Sequence, residues 1–274
     1  MAGASPEEKR MTMTNDWAAC PIDMSDLDLS GDKLHEQWGR LHRGNCEPFP
    51  TDPKLQEAWR AYHLGHFGQA VELGMAAGPQ GVVPAAFATI IYAQYIEQDA
   101  NRKMDLFKQA IALCKEAEAG GLSTVNLHYI YAVAMGRYSQ FISMIEALGQ
   151  GFGGRIKDQL EKCLALEPNH AEAHSTFAGW NAAIAVQAGP MMAKLLYGAT
   201  KDGAHEHYDV AVRLAPDTVV AHVEYARGLE VMYGDAKRSS IIEKLEAAIQ
   251  QTAVDAMQRM DQEAARKQLA KLKG

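Results

Sequence analysis

The feature that most constrains the fold is a phrase of thirteen residues that occurs twice, at 166–178 and 214–226. In both copies a leucine, a proline, an alanine, a histidine, an aromatic residue and a second alanine stand at matching positions. Proline cannot continue a helix and disfavours helical geometry in the preceding residue, so Pro168 and Pro216 each mark a turn between two helices. Apolar residues at helical spacing precede both prolines. The doubled phrase therefore predicts a helical repeat array.

This joint resembles the tetratricopeptide repeat, a unit of 34 residues that forms two paired helices. Ala178, Ala204 and Ala211 stand where that repeat has small residues, at close approaches between helices. The two prolines are 48 residues apart, so about fourteen extra residues lie inside this unit. We expect the surplus within residues 182–200.

The lengthened unit carries a narrower resemblance, over a span of about sixty residues. The residues concerned are Pro168, Ala173, His174, Gly179, Trp180, the run 194–198, Tyr208, Ala211 and Pro216. They are similar to the helical domain of the regulator of microtubule dynamics family. The resemblance implies a tetratricopeptide-like domain with a lengthened unit. Because a member of that family has been linked to lipid transfer, it also implies a lipid as one class of ligand.

The pattern along the chain predicts an all-α fold, with no strand-like alternation. We expect a right-handed α-solenoid of tetratricopeptide-like helix pairs with about ten to twelve helices. Residues 1–30 read as an acidic, disordered tail, and residues 31–274 as one helical domain. Four glycines make 149–154 a candidate hinge. The last predicted helix, 261–273, is polar, as a solvent-facing cap should be.

Capping signals predict where two of the helices begin. Thr51 or Asp52 stands before Pro53, which suits the first turn of a helix. Ser123 or Thr124 precedes another helical pattern. Each of these side chains can accept a hydrogen bond from a backbone N–H that the first helical turn leaves unpaired.

Charge and cysteine usage exclude several classes of protein. The net charge is −7 without a basic stripe, so we expect no nucleic-acid partner. The four cysteines form no CxxC pair, which favours reduced thiols and a cytoplasmic location. We expect no transmembrane segment, because no uninterrupted apolar run reaches the required length.

The sequence contains no recognisable catalytic motif. GxSxG, P-loop and GxGxxG patterns are absent from any strand–helix context, so we expect a protein that is not an enzyme. His205 and His207 lie two residues apart and would point to opposite sides of a helix, which disfavours a shared metal. We therefore expect no cofactor.

Nine residues are candidates for a concave binding groove. The repeat alignment, a cluster of polar and aromatic residues, and the doubled phrase select Trp59, Tyr62, His63, Asn126, His128, Arg137, His174, Arg227 and Glu230. A groove of this composition would hold an extended peptide. The alternative is that Trp59 and Tyr62 pack against the helix of Trp38. For His174 the alternative is a packing role, shared with His222.

The segment 182–199 contains a single charged residue, Lys194. It supplies candidates for an apolar-ligand region, together with the preceding tryptophan: Trp180, Met191, Leu195 and Tyr197. If the segment is buried, it closes the core as a longer helical hairpin, which is the reading we favour. If it is exposed, it contacts a membrane or lines a lipid cavity.

These observations predict a binding or scaffold protein whose concave groove takes a peptide or a partner protein. The alternative is a protein that binds a lipid or another apolar small ligand. A peptide groove should be open and lined by polar and charged residues, whereas a lipid site should be a closed apolar tunnel.

Overall fold

The computed structural model of the chain describes residues 17–274, and this range forms fourteen α-helices and no β-strand. In chain order the helices are α1 (Lys33–Leu41), α2 (Pro53–His63), α3 (Phe67–Ala76), α4 (Val82–Tyr95), α5 (Ala100–Ala119), α6 (Val125–Ser139), α7 (Met144–Gly149), α8 (Phe152–Leu166), α9 (Ala171–Gln187), α10 (Pro190–Tyr197), α11 (Lys201–Leu214), α12 (Val219–Tyr233), α13 (Arg238–Gln250) and α14 (Ala256–Lys273). Twelve of them have nine or more residues, and the two shorter ones are α7 and α10. The all-α prediction is confirmed.

Ten of the longer helices form five pairs, which follow one another along the chain; in two of these pairs a short helix lies between the partners. The pairs are α2 with α3, α4 with α5, α6 with α8, α9 with α11, and α12 with α13. The first helix of each pair also contacts the first helix of the next pair, so α2, α4, α6, α9 and α12 form one continuous layer. In tetratricopeptide proteins the corresponding layer lines a concave groove. A groove of that kind stays a prediction for this chain. The handedness of the array stays a prediction.

The doubled phrase builds the same joint twice. Helix α8 ends at Leu166 before Pro168, and α11 ends at Leu214 before Pro216. After each turn a histidine side chain reaches back to the proline carbonyl. The distance from Nε2 of His174 to the oxygen of Pro168 is 3.1 Å, and from Nε2 of His222 to the oxygen of Pro216 it is 2.9 Å. The matched histidines therefore hold the inter-repeat turns.

Two predicted caps are present. Asp52 accepts a hydrogen bond from the backbone N–H of Lys54, with Pro53 in the first turn of α2. Thr124 accepts one from the backbone N–H of Leu127 at the start of α6. Each cap satisfies a donor that the first helical turn would leave unpaired.

The extra residues of the lengthened unit form the end of α9 and the short helix α10. Gly189 and Gly198 flank α10 with φ angles of 76° and 72°, in the left-handed region that favours glycine. These two positions let the chain turn sharply into α10 and out of it.

The last helix closes the array. Helix α14 contacts α2 near one end and α12 and α13 near the other. We expected a solvent-facing cap over 261–273, and this is wrong for the inner face. Asp261 and Gln262 are buried there, while Arg266, Lys267 and Lys271 on the opposite face are exposed, as the prediction required. A polar helix with one covered face still buries its polar side chains when the neighbouring helices supply hydrogen-bond partners.

Residues 17–30 of the predicted tail lie against the helices. The ring of Trp17 stacks on that of Tyr92 with centroids 4.0 Å apart, Leu29 is buried, and Asp26 pairs with Arg259 of α14. Residues 1–16 of that prediction lie outside the described residues. At the predicted hinge, Gly151 adopts φ 66° directly before α8, and hinge motion there stays a prediction.

Candidate functional site

Four helices of this layer (α4, α6, α9 and α12) and the closing helix α14 line a partly open cavity of about 540 Å³. Its walls come from α4, α6, α8, α9 and α12, and α14 contributes Met257 and Asp261. Gly136 of α6 and Gly179 of α9 lie in the wall. A Cβ atom at Gly136 would meet no atom within 4 Å, so the absence of a side chain there leaves open space.

Most of the wall is apolar. The aliphatic and aromatic side chains that line it include Phe87, Ile90, Ile91, Val133, Ile142, Phe152, Ile156, Trp180, Ile184 and Val231. The indole of Trp180 is fixed in this wall, because its Nε1 donates to the carbonyl of Gly153 at 2.9 Å. An apolar cavity with a few placed polar groups is the usual composition of a ligand site.

Glu224 is the centre of the charged part of the wall. Arg137 of α6 donates to its Oε1 at 3.0 Å, and Arg227, one turn along α12, donates to the same oxygen. Burial raises the pKa of Glu224, but the two guanidinium groups outweigh this and lower it overall. In return, Glu224 raises the pKa of Arg227. Glu224 is thus held ionised and joins α6 to α12.

Two further carboxyl groups in the wall are buried. Asp261 of α14 accepts a hydrogen bond from the hydroxyl of Tyr95, and burial raises the pKa of Asp261 to about 7. Glu172 of α9 interacts with the hydroxyl of Tyr129, and burial raises the pKa of Glu172 to about 8. Desolvation disfavours the charged form of a carboxyl group, which is the physical cause of both shifts.

One polar atom of the wall has nothing to bond to. Ser175 is 1% exposed, and its Oγ has no hydrogen-bond partner among residues 17–274. It lies one helical turn after Glu172, on the same face of α9. Buried hydroxyl groups in proteins are nearly always hydrogen-bonded, so this atom marks a position where a ligand could contribute.

Of the nine predicted groove residues, the structure brings Arg137 and Arg227 together in the cavity wall. Trp59, Tyr62 and His63 instead lie in the core beside α1. The rings of Trp38 and Trp59 meet edge to face at 6.1 Å, as the alternative reading of the aromatic residues predicted.

The four other groove candidates lie away from the cavity. Asn126 is buried and bonds the backbone of Asn45, and His128 is buried against Gln159. The Nδ1 atom of His174 lies 2.8 Å from the Nδ1 atom of His207. Glu230 is exposed and accepts a hydrogen bond from the side-chain amide of Gln268. A groove role for these residues stays a prediction.

The apolar-ligand candidates divide in the same way. Trp180 lines the cavity. The ring of Tyr197 packs edge to face against the ring of Trp180, with 6.1 Å between their centroids. Met191 is 80% exposed and Leu195 is 75% exposed, and neither lines the cavity. The burial that we expected for this segment is therefore wrong for most of α10, in which Ala193 is the only fully buried residue and Tyr197 is partly buried against the core.

Sequence reasoning missed Tyr95, Glu172, Glu224 and Asp261. A signal for Glu224 existed, because α12 is apolar around most of its circumference. A charged residue in such a helix has to be buried and paired. The position of Asp261 depends on where α14 crosses the array, and the local sequence does not carry that information.

Within residues 17–274, no group of three or more His, Cys, Asp or Glu side chains is arranged to hold a metal ion. None of the helices in this range has the length and apolarity needed to cross a membrane.

One of two comparisons with known proteins identifies the family of this chain. A sequence search among curated proteins finds no match. The sequence model of the family described as regulator of microtubule dynamics protein 1-3 matches residues 83–273, well over half of the 274 residues. The matched range begins in α4 and includes every helix that follows, with both copies of the doubled phrase. The chain therefore belongs to the regulator of microtubule dynamics family.

Proposed function

We propose that this chain is a non-enzymatic binding protein that holds a segment of a protein partner in the cavity of its concave face. The observation that carries the proposal is the cavity itself, of about 540 Å³, which combines an apolar wall with fixed charged groups. Membership of the family supports the proposal through the name of its members, regulators of a process that requires protein contacts.

The chemistry of the cavity supports binding rather than catalysis. Glu224 is neutralised by two guanidinium groups, and Ser175 has no histidine partner among the described residues. The cysteine thiols are poor nucleophiles, because burial raises their pKa, to about 11 for Cys46 and about 12 for Cys163. All four cysteines are free thiols, which supports a reducing compartment such as the cytoplasm.

A photo-crosslinking experiment tests the proposal with a matched pair of valines. Val231 of α12 and Val186 of α9 are 46% and 45% exposed, but of these two valines only Val231 lines the cavity. Benzoylphenylalanine placed at 231 should crosslink a defined peptide of one partner, and the same probe at 186 should not.

A second variant decides whether the crosslink depends on the cavity. Gly136→Leu places a side chain into open cavity space and should abolish the crosslink from 231. Equal crosslinking at 231 and 186, or a crosslink that Gly136→Leu leaves intact, would overturn the proposal.

A second candidate function is the binding of a lipid or another apolar small ligand. The specific observation in its favour is that aliphatic and aromatic side chains form most of the cavity wall. Native mass spectrometry of protein purified from its own cells should then show an added mass that solvent extraction releases. Protein of unmodified mass would contradict the lipid proposal, and the protein-partner proposal would then be the one that remains.

A further inference from the structure

The ionisable groups that line the cavity do not balance in charge when all of them are ionised. Three carboxyl groups, of Glu172, Glu224 and Asp261, face two guanidinium groups, of Arg137 and Arg227. Both guanidinium groups bond Glu224, which leaves one negative charge too many if all five groups are ionised. A buried excess charge has to be removed by a proton or by a partner of opposite sign.

Glu172 is the carboxyl group without a cation. No ion pair among the described residues includes it, and burial is the largest influence on its pKa. The titratable groups that face it from the neighbouring segments do not supply positive charge. They are Tyr62 of α2, Tyr129 of α6, Glu224 of α12, Asp255 and Asp261 at the start of α14, and the thiols of Cys46 and Cys163. The three carboxyl groups in this set act to raise the pKa of Glu172 further.

A second and independent observation lies beside Glu172. The Oγ of Ser175, three residues along α9, is buried in the cavity wall without a partner. A hydroxyl oxygen can accept a hydrogen bond from a ligand N–H, and a carboxylate can accept two or more. The hydroxyl of Tyr129 occupies only part of the Glu172 carboxyl group. The rest of that group and the Oγ of Ser175 form a set of acceptor atoms on one face of α9 that has no cation among the described residues.

We propose that the cavity takes the cationic end of a lysine side chain of the partner segment, with its ammonium group between the carboxylate of Glu172 and the Oγ of Ser175. The inference rests on the proposed function, because the lysine belongs to the bound partner. Its four-carbon stem lies along the apolar wall. Lysine side chains commonly bury the stem while the charged group finds a polar site.

The ionisation of Glu172 follows from the same arrangement. Without a ligand, the buried carboxyl group is protonated at pH 7, because its pKa is about 8. An ammonium ion favours the ionised form, so binding releases a proton. Affinity for the cation therefore rises with pH, by about tenfold per unit below pH 8, while the ammonium group itself stays charged.

The test uses three probes that share a six-carbon chain, namely hexylammonium, hexanoate and 1-hexanol. Binding to the full chain is measured by calorimetry at pH 6, 7 and 8, in buffers of different ionisation enthalpy. Hexylammonium should bind at least about tenfold more tightly than the other two at pH 8, a difference that corresponds to one well-placed charge contact. It should also release a proton near pH 7.

Two variants locate the site, and a third serves as a control. Glu172→Gln and Ser175→Ala should both weaken hexylammonium binding, and Glu172→Gln should also remove its pH dependence. Unchanged 1-hexanol binding in these variants shows that the cavity is intact. Glu246→Gln changes an exposed carboxyl group of α13, a helix that contributes no residue to the cavity wall, and should have no effect.

Four outcomes overturn the inference. Hexanoate could bind most tightly, which would assign the site to the guanidinium groups. All three probes could bind equally, which would show an apolar site without a cation contact. Glu172→Gln could bind hexylammonium as tightly as the wild type does, which would show that Glu172 does not contact the ammonium group. If none of the three probes binds, the proposed lysine site is also wrong. The protein-partner proposal is tested separately, by the crosslink from position 231.

Discussion

The imidazole Nδ1 of His63 lies 2.9 Å from a carboxylate oxygen of Asp255, and both side chains are almost fully buried. This contact joins the end of α2 to the start of α14, 192 residues apart along the chain. Nearby, the hydroxyl of Tyr62 bonds the sulfur of Met257 at 3.3 Å. The two ends of the helical layer are thereby tied together, and α14 is held across the cavity.

Replacing Asp255 should loosen this tie. Asp255 also caps α14 by accepting from the backbone N–H of Gln258. Asp255→Ala therefore removes a cap, worth about 1 kcal/mol, and leaves the Nδ1 of buried His63 without its partner, at about 1–3 kcal/mol more. We expect a total loss of about 2–4 kcal/mol in the free energy of unfolding, measured by urea denaturation.

The matched control is Asp52→Ala, which removes the exposed cap of α2 and should cost only about 1 kcal/mol. Equal losses for the two variants would show that the contact between His63 and Asp255 contributes nothing beyond the cap.

Glu224→Gln tests the charged centre of the cavity. The amide keeps the shape of the side chain but removes the shared counter-ion of Arg137 and Arg227, whose side chains are 20% and 35% exposed. Because water screens the charges of this partly exposed cluster, the loss should be about 1–2 kcal/mol, less than for a fully buried pair and more than for an exposed one. Glu161→Gln breaks an exposed pair with Lys157 and should stay within about 0.5 kcal/mol of the wild type in the same denaturation experiment. Indistinguishable unfolding of the two variants would contradict the assigned role of Glu224.

The repeat pattern in the sequence predicts much of this fold, because its signals are local. Pro168 and Pro216 stop helices wherever they occur, and Asp52 and Thr124 cap the helices that follow them. Helical spacing also indicates which faces are apolar. These features depend on residues within one or two turns, so the sequence alone is sufficient to read them.

The site is less accessible to such reasoning, because contacts between distant elements assemble it. The repeat alignment placed Arg227 in the groove, and the polar-aromatic cluster supplied Arg137. Neither could reveal that Glu224 lies between them. Asp261 belongs to a helix whose polar sequence is equally typical of a surface cap. Only the crossing of α14 over the array buries it.

The pH dependence of stability should report Glu172 directly. Its folded pKa, about 8, is above that of the unfolded chain, so the folded state binds the proton more tightly. The wild type therefore loses stability as pH rises from about 5 to 8, where the unfolded state has already released the proton. Glu172→Gln has no such proton to lose. The difference in unfolding free energy between Glu172→Gln and the wild type should grow in favour of the variant across this range. Denaturation curves at pH 5, 6, 7 and 8 measure it, and a difference that is constant with pH would place Glu172 in water.

Two helical glycines of the same cavity should respond in opposite directions to alanine. At Gly136 the new Cβ meets no atom within 4 Å, so Gly136→Ala should stabilise α6 by about 0.5–1 kcal/mol through the entropy of the unfolded chain. At Gly228 the Cβ would lie 2.3 Å from the ring of Tyr208, which is itself fully buried. Gly228→Ala should therefore cost about 1–3 kcal/mol, as overpacking does. Thermal unfolding of the two variants side by side checks the sign of each change, and stabilisation by both would show that Tyr208 moves aside.

Leu195→Asp separates the exposed face of α10 from the cavity. Because the side chain of Leu195 is 75% exposed and lies outside the cavity wall, the substitution removes little buried apolar area. The free energy of unfolding should change by no more than about 0.5 kcal/mol, and binding of 1-hexanol should be unaffected. Leu160→Ala provides the contrast, since Leu160 is fully buried in α8 and its truncation should cost about 2–5 kcal/mol. A large loss of stability or of hexanol binding in Leu195→Asp would mean that α10 folds inward over the cavity in solution. It would also restore the buried hairpin that the sequence favoured.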